Sequence, residues 1–188
     1  MNVFFDIQHL YYLPQYLPVK IALEEKGVHC HFVLYNQKEL QEILINCTEK
    51  ENLSYTLVTD ATKARELYLN KKPEWIIFGN AFNNLAEINS SSKTALMQHG
   101  IGPKSCYYDV SKSDITYRFV EGQHRLKRLQ SLFPEKIFID TGYAKLDPII
   151  NQTLNSINLT ELGLDPEKKT LLYAPTFYPS SIECLPSN

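Results

Sequence analysis

Cysteine pairs are the first thing missing. The four cysteines, Cys30, Cys47, Cys106 and Cys184, include no two at Cys-x-x-Cys spacing, which removes zinc ribbons and thioredoxin-type redox centres. Only Cys30 lies beside histidines, His29 and His31. In an apparent strand such neighbours point to opposite faces and make a poor chelate, so reduced structural thiols are expected. An Asp-x-Asp metal motif is also missing, and no metal or other cofactor is expected. There is no basic excess: 19 Lys and Arg face 21 Asp and Glu, for a net charge of −2, so nucleic acid is not an expected partner. No apolar run approaches a membrane span. The start, Met1-Asn2-Val3-Phe4-Phe5-Asp6, lacks the basic region and long apolar stretch of a secretory signal. A cytoplasmic location is expected, and the Asn-x-Ser/Thr matches carry no meaning for glycosylation. Internal repeats and low-complexity tracts are absent too.

What is present is an ordinary globular composition, 188 residues with 44% hydrophobic and 21% charged. That fits one domain, or one domain with part of another. Short apolar runs read as strands over 2–7, 29–35, 55–59, 75–78 and 94–98. Between them, Val19 to Lys26 reads as a helix stopped by Gly27, with Pro14 or Pro18 suited to its first turn. Gln37 to Ile45 reads as a second helix, and Ala61 to Leu69 as a third with Asp60 as N-cap. Short strands alternating with helices, and apolar on both faces, predict a Rossmann-like α/β fold: a parallel sheet with helices on both faces. Ligands in such sheets bind beyond the carboxyl ends of the strands. His9, Asp60, Asn80 and His99 all follow predicted strand ends, which puts them on one rim.

Further along, 115–120 and 136–140 read as sixth and seventh strands. The basic helix Gln123 to Leu132 between them carries His124-Arg125-Leu126-Lys127-Arg128, expected to be a solvated face or a weak contact for anionic lipid. Ile149 to Leu159 reads as helix and 162–169 as linker. Thr170 to Phe177 reads as a new strand, which cannot bury itself alone. The expected organisation is a Rossmann-like domain over 1–150, a helix and linker over 151–169, and the opening strand of a second, truncated domain over 170–188.

The stretch that draws this pattern together is Ala95 to Lys104. An apolar run ends at Gln98-His99, and Gly100, Gly102, Pro103 and Lys104 follow. Glycines there let the backbone take conformations closed to other residues and let a ligand approach closely. Lys104 brings positive charge to the same rim. A strand, a turn and a surface histidine would read the same way.

Three segments resemble the CDP-glycerol glycerophosphotransferase family, which builds poly(glycerol phosphate) in teichoic acid and related polymers. They are Gln98-His99-Gly100-Ile101-Gly102-Pro103-Lys104, Gly142-Tyr143-Ala144-Lys145-Leu146-Asp147 and Leu172-Tyr173-Ala174-Pro175-Thr176-Phe177. The opening Tyr11-Tyr12-Leu13-Pro14 looks like the acceptor-side loop of some members. The resemblance implies the N-terminal, acceptor-side half of a GT-B arrangement, with the nucleotide-holding half absent. It implies transfer of glycerol phosphate from CDP-glycerol to the hydroxyl of a glycerol-phosphate, lipid-linked acceptor, with CMP released. His99 would be the base. Gly100, Gly102, Lys104, Tyr12, Gly142, Lys145 and Asp147 would meet substrate, with no metal among them. The lipid-linked acceptor implies peripheral contact with the inner face of an anionic membrane, and self-association is left open. This half alone is expected to be inactive. Two other readings remain: another GT-B nucleotide-sugar glycosyltransferase or epimerase relative, and a truncated binding fragment without turnover.

Overall fold

The strand β1 (Asn2–Ile7) alternates strictly in where its side chains go. Val3, Phe5 and Ile7 enter one apolar cluster and Phe4 enters another, with Asp6 on Phe4's side. A strand buried on both faces has to sit mid-sheet, and β1 does. The structure, a computed structural model, describes residues 1–100, 106–154 and 158–174. Its strands are β1, β2 (His29–Tyr35), β3 (Tyr55–Val58), β4 (Trp75–Phe78), β5 (Lys93–Met97), β6 (Tyr117–Val120) and β7 (Ile137–Asp140). They form one seven-stranded sheet in the order β3-β2-β1-β4-β5-β6-β7, and every pairing is parallel. This is the Rossmann-like α/β fold expected from the sequence. The strand order reverses between β1 and β4, the position where such sheets open a crevice.

Helices α1 (Leu13–Glu24) and α2 (Gln41–Lys50) cover one face, through Leu13, Tyr16 and Leu44. Helix α3 (Ala61–Lys71) and the short α4 (Ala86–Asn89) cover the other, through Ala64, Tyr68 and Ile88. Asp60 caps α3 as expected, its carboxylate accepting from the Lys63 backbone N–H at 3.0 Å. After α5 (Cys106–Asp109) and β6, helix α6 (Gln123–Leu132) packs Leu129 against Val120 and Phe138. A one-turn α7 (Asp147–Ile150) closes this part.

Several expectations are corrected here. Helix α1 starts at Leu13, with Pro14 in its first turn and Pro18 inside it. Lys38–Leu40 is a 3-10 turn, so α2 begins later than Gln37. The helix expected over 149–159 ends at Ile150, because Gln152 takes a left-handed φ of 54° that a helix cannot continue through. A 3-10 turn occupies Leu159–Leu162. The strand expected from Thr170 does not form over 170–174, where Leu171 and Leu172 are 92% and 84% exposed. The rest of that segment lies outside the described residues. The chain divides between Gln152 and Thr153. Among the described residues no helix is long and apolar enough to cross a membrane.

Candidate active site

β5 delivers Met97, Gln98 and His99 to the carboxyl rim beside the end of β4, and the contacts of His99 follow from that register. Its backbone N–H and its Nδ1 both reach the Gly79 carbonyl oxygen, at 3.3 and 2.8 Å. A carbonyl oxygen only accepts, so Nδ1 carries the proton. In the neutral ring the lone pair then sits on Nε2, the nitrogen left to take a proton. Burial lowers the His99 pKa. The Gly79 carbonyl opposes that shift, while His9 and Lys145 add to it. A neutral imidazole with one nitrogen anchored by backbone is the form a general base needs.

The ring is held by aromatics from the loop after β1. Tyr12 stacks on it with centroids 4.5 Å apart and planes 9° from parallel, and Tyr11 meets it edge-on at 5.2 Å. His9 in turn stacks on Tyr11 at 5.3 Å. Tyr12 is completely buried while Tyr11 is 57% exposed. Tyr12, expected from the resemblance to meet substrate, is therefore a wall behind the histidine, and Tyr11 is the ring that solvent reaches. Gly79 makes the arrangement fit: a Cβ there would lie 2.6 Å from the Tyr12 ring and 2.7 Å from the Tyr16 hydroxyl.

The two motifs that are far apart in sequence meet here. The Tyr143 hydroxyl donates to the His99 carbonyl at 3.2 Å, and Lys145 is near enough to depress the His99 pKa. Gly142 takes the left-handed turn expected after β7, with φ +74°. Gly100 does not take the special backbone conformation expected for it. What a Cβ there would meet is the Tyr107 hydroxyl, at 3.3 Å. Asp147 begins α7, and among the described residues no hydrogen bond or ring contact joins it to His99. Gly102 and Lys104 lie outside the described residues.

Sequence reasoning missed Arg125. Expected on a solvated basic face, it is 7% exposed. Its Nη2 donates to Gln98 Oε1 at 2.8 Å and to the Tyr107 carbonyl at 2.6 Å, and its Nη1 pairs with Glu121 at 3.1 Å. It thus ties α6 to the residues on both sides of the His99 turn. The i,i+4 spacing of Glu121 and Arg125 was the available signal. Also missed was Asp6, wholly buried at the end of β1, with the Tyr68 and Tyr35 hydroxyls donating to its Oδ2 at 2.7 and 3.0 Å. Burial raises its pKa to about 6 against the pull of those bonds.

Beside this cluster a cleft of about 980 Å³ opens over the ends of β1 to β4, sharing His9 with the aromatic group. Its wall is mostly uncharged side chains, among them Gln8, Asn36, Gln37, Asn83 and Asn84.

No protein-family model matches the sequence, and no curated protein matches it. Among solved structures the chain is similar to a protein described as a UDP-N-acetylglucosamine 2-epimerase of Listeria monocytogenes, with a TM-score of 0.65 at 14% identity. The match takes in 86% of this chain and 51% of that one, so the chain spans about half the length of that neighbour. At this identity the likeness extends to the fold.

Proposed function

We propose that the chain is the acceptor-side half of a GT-B enzyme, in which His99 deprotonates a hydroxyl for attack on a nucleotide-activated donor. The class proposed is the CDP-glycerol glycerophosphotransferases. The observation that carries this is the meeting of His99 with the Gly142–Asp147 segment at one strand-end rim, through the Tyr143 hydroxyl and the field of Lys145. Those are two of the segments on which the resemblance rests, and their convergence supports reading them as one site. In the proposed step His99 Nε2 takes the hydroxyl proton as the oxygen attacks phosphorus, and CMP leaves with the bonding pair of the P–O bond that breaks. Lys145 stabilises the anionic phosphoryl group. Tyr12 and Gly79 keep the imidazole in its productive tautomer and orientation.

A second reading, an epimerase relative acting on a UDP-sugar, is favoured by the structural neighbour and by its fold. One assay separates the two. The enzyme that carries this half is given CDP-glycerol with a glycerol-phosphate acceptor, or UDP-N-acetylglucosamine alone. CMP release that falls roughly 10²–10⁴-fold in His99→Ala, at unchanged melting temperature, is the expected result. Turnover of the UDP-sugar without CMP release from CDP-glycerol would establish the epimerase reading instead.

A further inference from the structure

We infer that the cleft over β1 to β4 is a binding site for an uncharged polyhydroxylated unit, a sugar or polyol, delivered beside His99. The class of ligand follows from what lines the cleft. Five side-chain amides, those of Gln8, Asn36, Gln37, Asn83 and Asn84, come from the loops after β1, β2 and β4. Each amide both donates and accepts, as a hydroxyl does, so amides pair with hydroxyls without any net charge. Gln37 is already oriented: its Nε2 donates to the Gln8 carbonyl at 3.2 Å and lies 3.2 Å from His9 Nδ1. Its Oε1 is therefore the atom that can accept from a hydroxyl. Thr62 adds a hydroxyl, and Phe82 and Tyr35 supply carbon surface.

Charge argues against an anionic ligand. Among the described residues Arg65 is the one arginine or lysine in the lining. Its Nη2 pairs with Glu87 at 2.7 Å and its Nε donates to the Asn84 carbonyl at 3.2 Å. A phosphate site needs cations or converging backbone N–H groups to offset its charge, and this guanidinium is already neutralised. A dinucleotide is disfavoured by the loop after β1. Rossmann sheets that take a pyrophosphate there use a glycine-rich turn at the helix start. Here that turn is Gln8-His9-Leu10-Tyr11-Tyr12, with no glycine. The volume, about 980 Å³, lies near the top of the roughly 300–1,000 Å³ usual for ligand pockets, so more than one polyol or sugar unit fits.

Position gives the site its use. His9 lines the cleft and stacks on Tyr11, whose ring edges His99. A polyol chain held by the amides and continuing past His9 runs toward the aromatic group that holds the imidazole. Calling that unit the uncharged terminal glycerol of a glycerol-phosphate acceptor, its phosphate lying outside the cleft, rests on the reading proposed above, whereas the binding itself does not.

The test is binding to the 188-residue chain, labelled with ¹⁵N and followed through its Asn and Gln side-chain amide signals. The probes are glycerol and N-acetylglucosamine as neutral ligands, with inorganic phosphate and cytidine monophosphate as anions. Saturable shifts of the Asn36, Gln37 and Asn83 amides with a neutral probe, and none with the anions, are expected. The doubly substituted Asn36→Ala, Asn83→Ala chain alters two exposed side chains and should melt as the parent does, with affinity at least tenfold weaker. Arg65→Met should bind the neutral probe as the parent does. Shifts driven more strongly by phosphate or by the nucleotide, no shift with either neutral probe, or undiminished binding in the double variant would each overturn the assignment. In His99→Ala the neutral probe should still bind. Lost turnover with binding intact would speak to the base, and lost binding to the cleft.

Discussion

At the scale of single residues, what suits His99 to the proposed role of base is its surroundings rather than its being histidine. The Gly79 carbonyl fixes the proton on Nδ1, and burial lowers the pKa, with Lys145 adding to that fall. The folded chain therefore holds the His99 proton less tightly than the unfolded chain does. As pH falls below the ordinary value of 6.5, the unfolded state takes up this proton first and stability drops. The imidazole stays neutral, and competent as a base, to a lower pH. An NMR titration of the His99 ring should have its midpoint below 6.5, and Lys145→Ala should move it upward. A midpoint unmoved in that variant would take Lys145 out of the site. Asp6 runs the opposite way. Its pKa is raised from 3.8 to about 6, so folding is favoured while it is protonated, and that advantage disappears as pH rises through about 6. At about 1.4 kcal/mol per pH unit the loss is of order 3 kcal/mol. Asp6→Asn keeps an acceptor for the Tyr68 and Tyr35 hydroxyls and should flatten this dependence between pH 4 and 7, which thermal melting across that range would detect. An unchanged slope would mean that another group titrates there.

At the scale of elements, legibility followed burial. β1, β2 and β4 lie where the sequence puts them, residue for residue, because their apolar runs are bounded by turn residues and face both sides of a sheet, and α6 does so between Gly122 and the end of its polar run. The rim position of His99 was legible for the same reason. The misses have local causes that the pattern of residues does not carry. Gln152 in the left-handed region stops α7 against a helical sequence. Tyr12 reads as a loop tyrosine, but Gly79 lets it in beneath His99. The amide cleft was invisible because its residues come from three separate loops and share no motif. Arg125 looked like surface charge, yet it joins α6 to the residues flanking the His99 turn. Arg125→Ala would leave Gln98 Oε1, the Tyr107 carbonyl and Glu121 without their shared donor. Removing one partner of a buried ion pair costs about 3–5 kcal/mol, and that loss is expected in chemical denaturation. Arg125→Lys should restore only part of it, because one ammonium cannot reach three acceptors in the planar fork of a guanidinium. Full rescue by lysine would reduce the role to charge alone.

At the scale of the whole molecule, the question is which part of the chain carries its own core. Among the described residues, every member of the three apolar clusters lies before residue 140, and the seven strands end with β7 (Ile137–Asp140). Past the division at Gln152, the described residues 158–174 are all exposed, Leu171 at 92% and Leu172 at 84% among them. Apolar side chains left in water contribute nothing toward folding; stabilisation comes from area removed from it. A chain ending at Gln152 should therefore fold cooperatively, and its melting temperature should lie within about 4 °C of that of the 188-residue chain, the shift that about 1 kcal/mol produces at this size. Such a chain retains His99, Tyr143, Lys145 and the amide cleft, so the His99 titration and the neutral-probe shifts should survive in it unchanged. A broad, non-cooperative melt, or loss of the His99 shift, would show that residues 153–188 complete the core or the site. A sharp melt with both signatures intact would make Met1–Gln152 the unit on which the proposed chemistry is built.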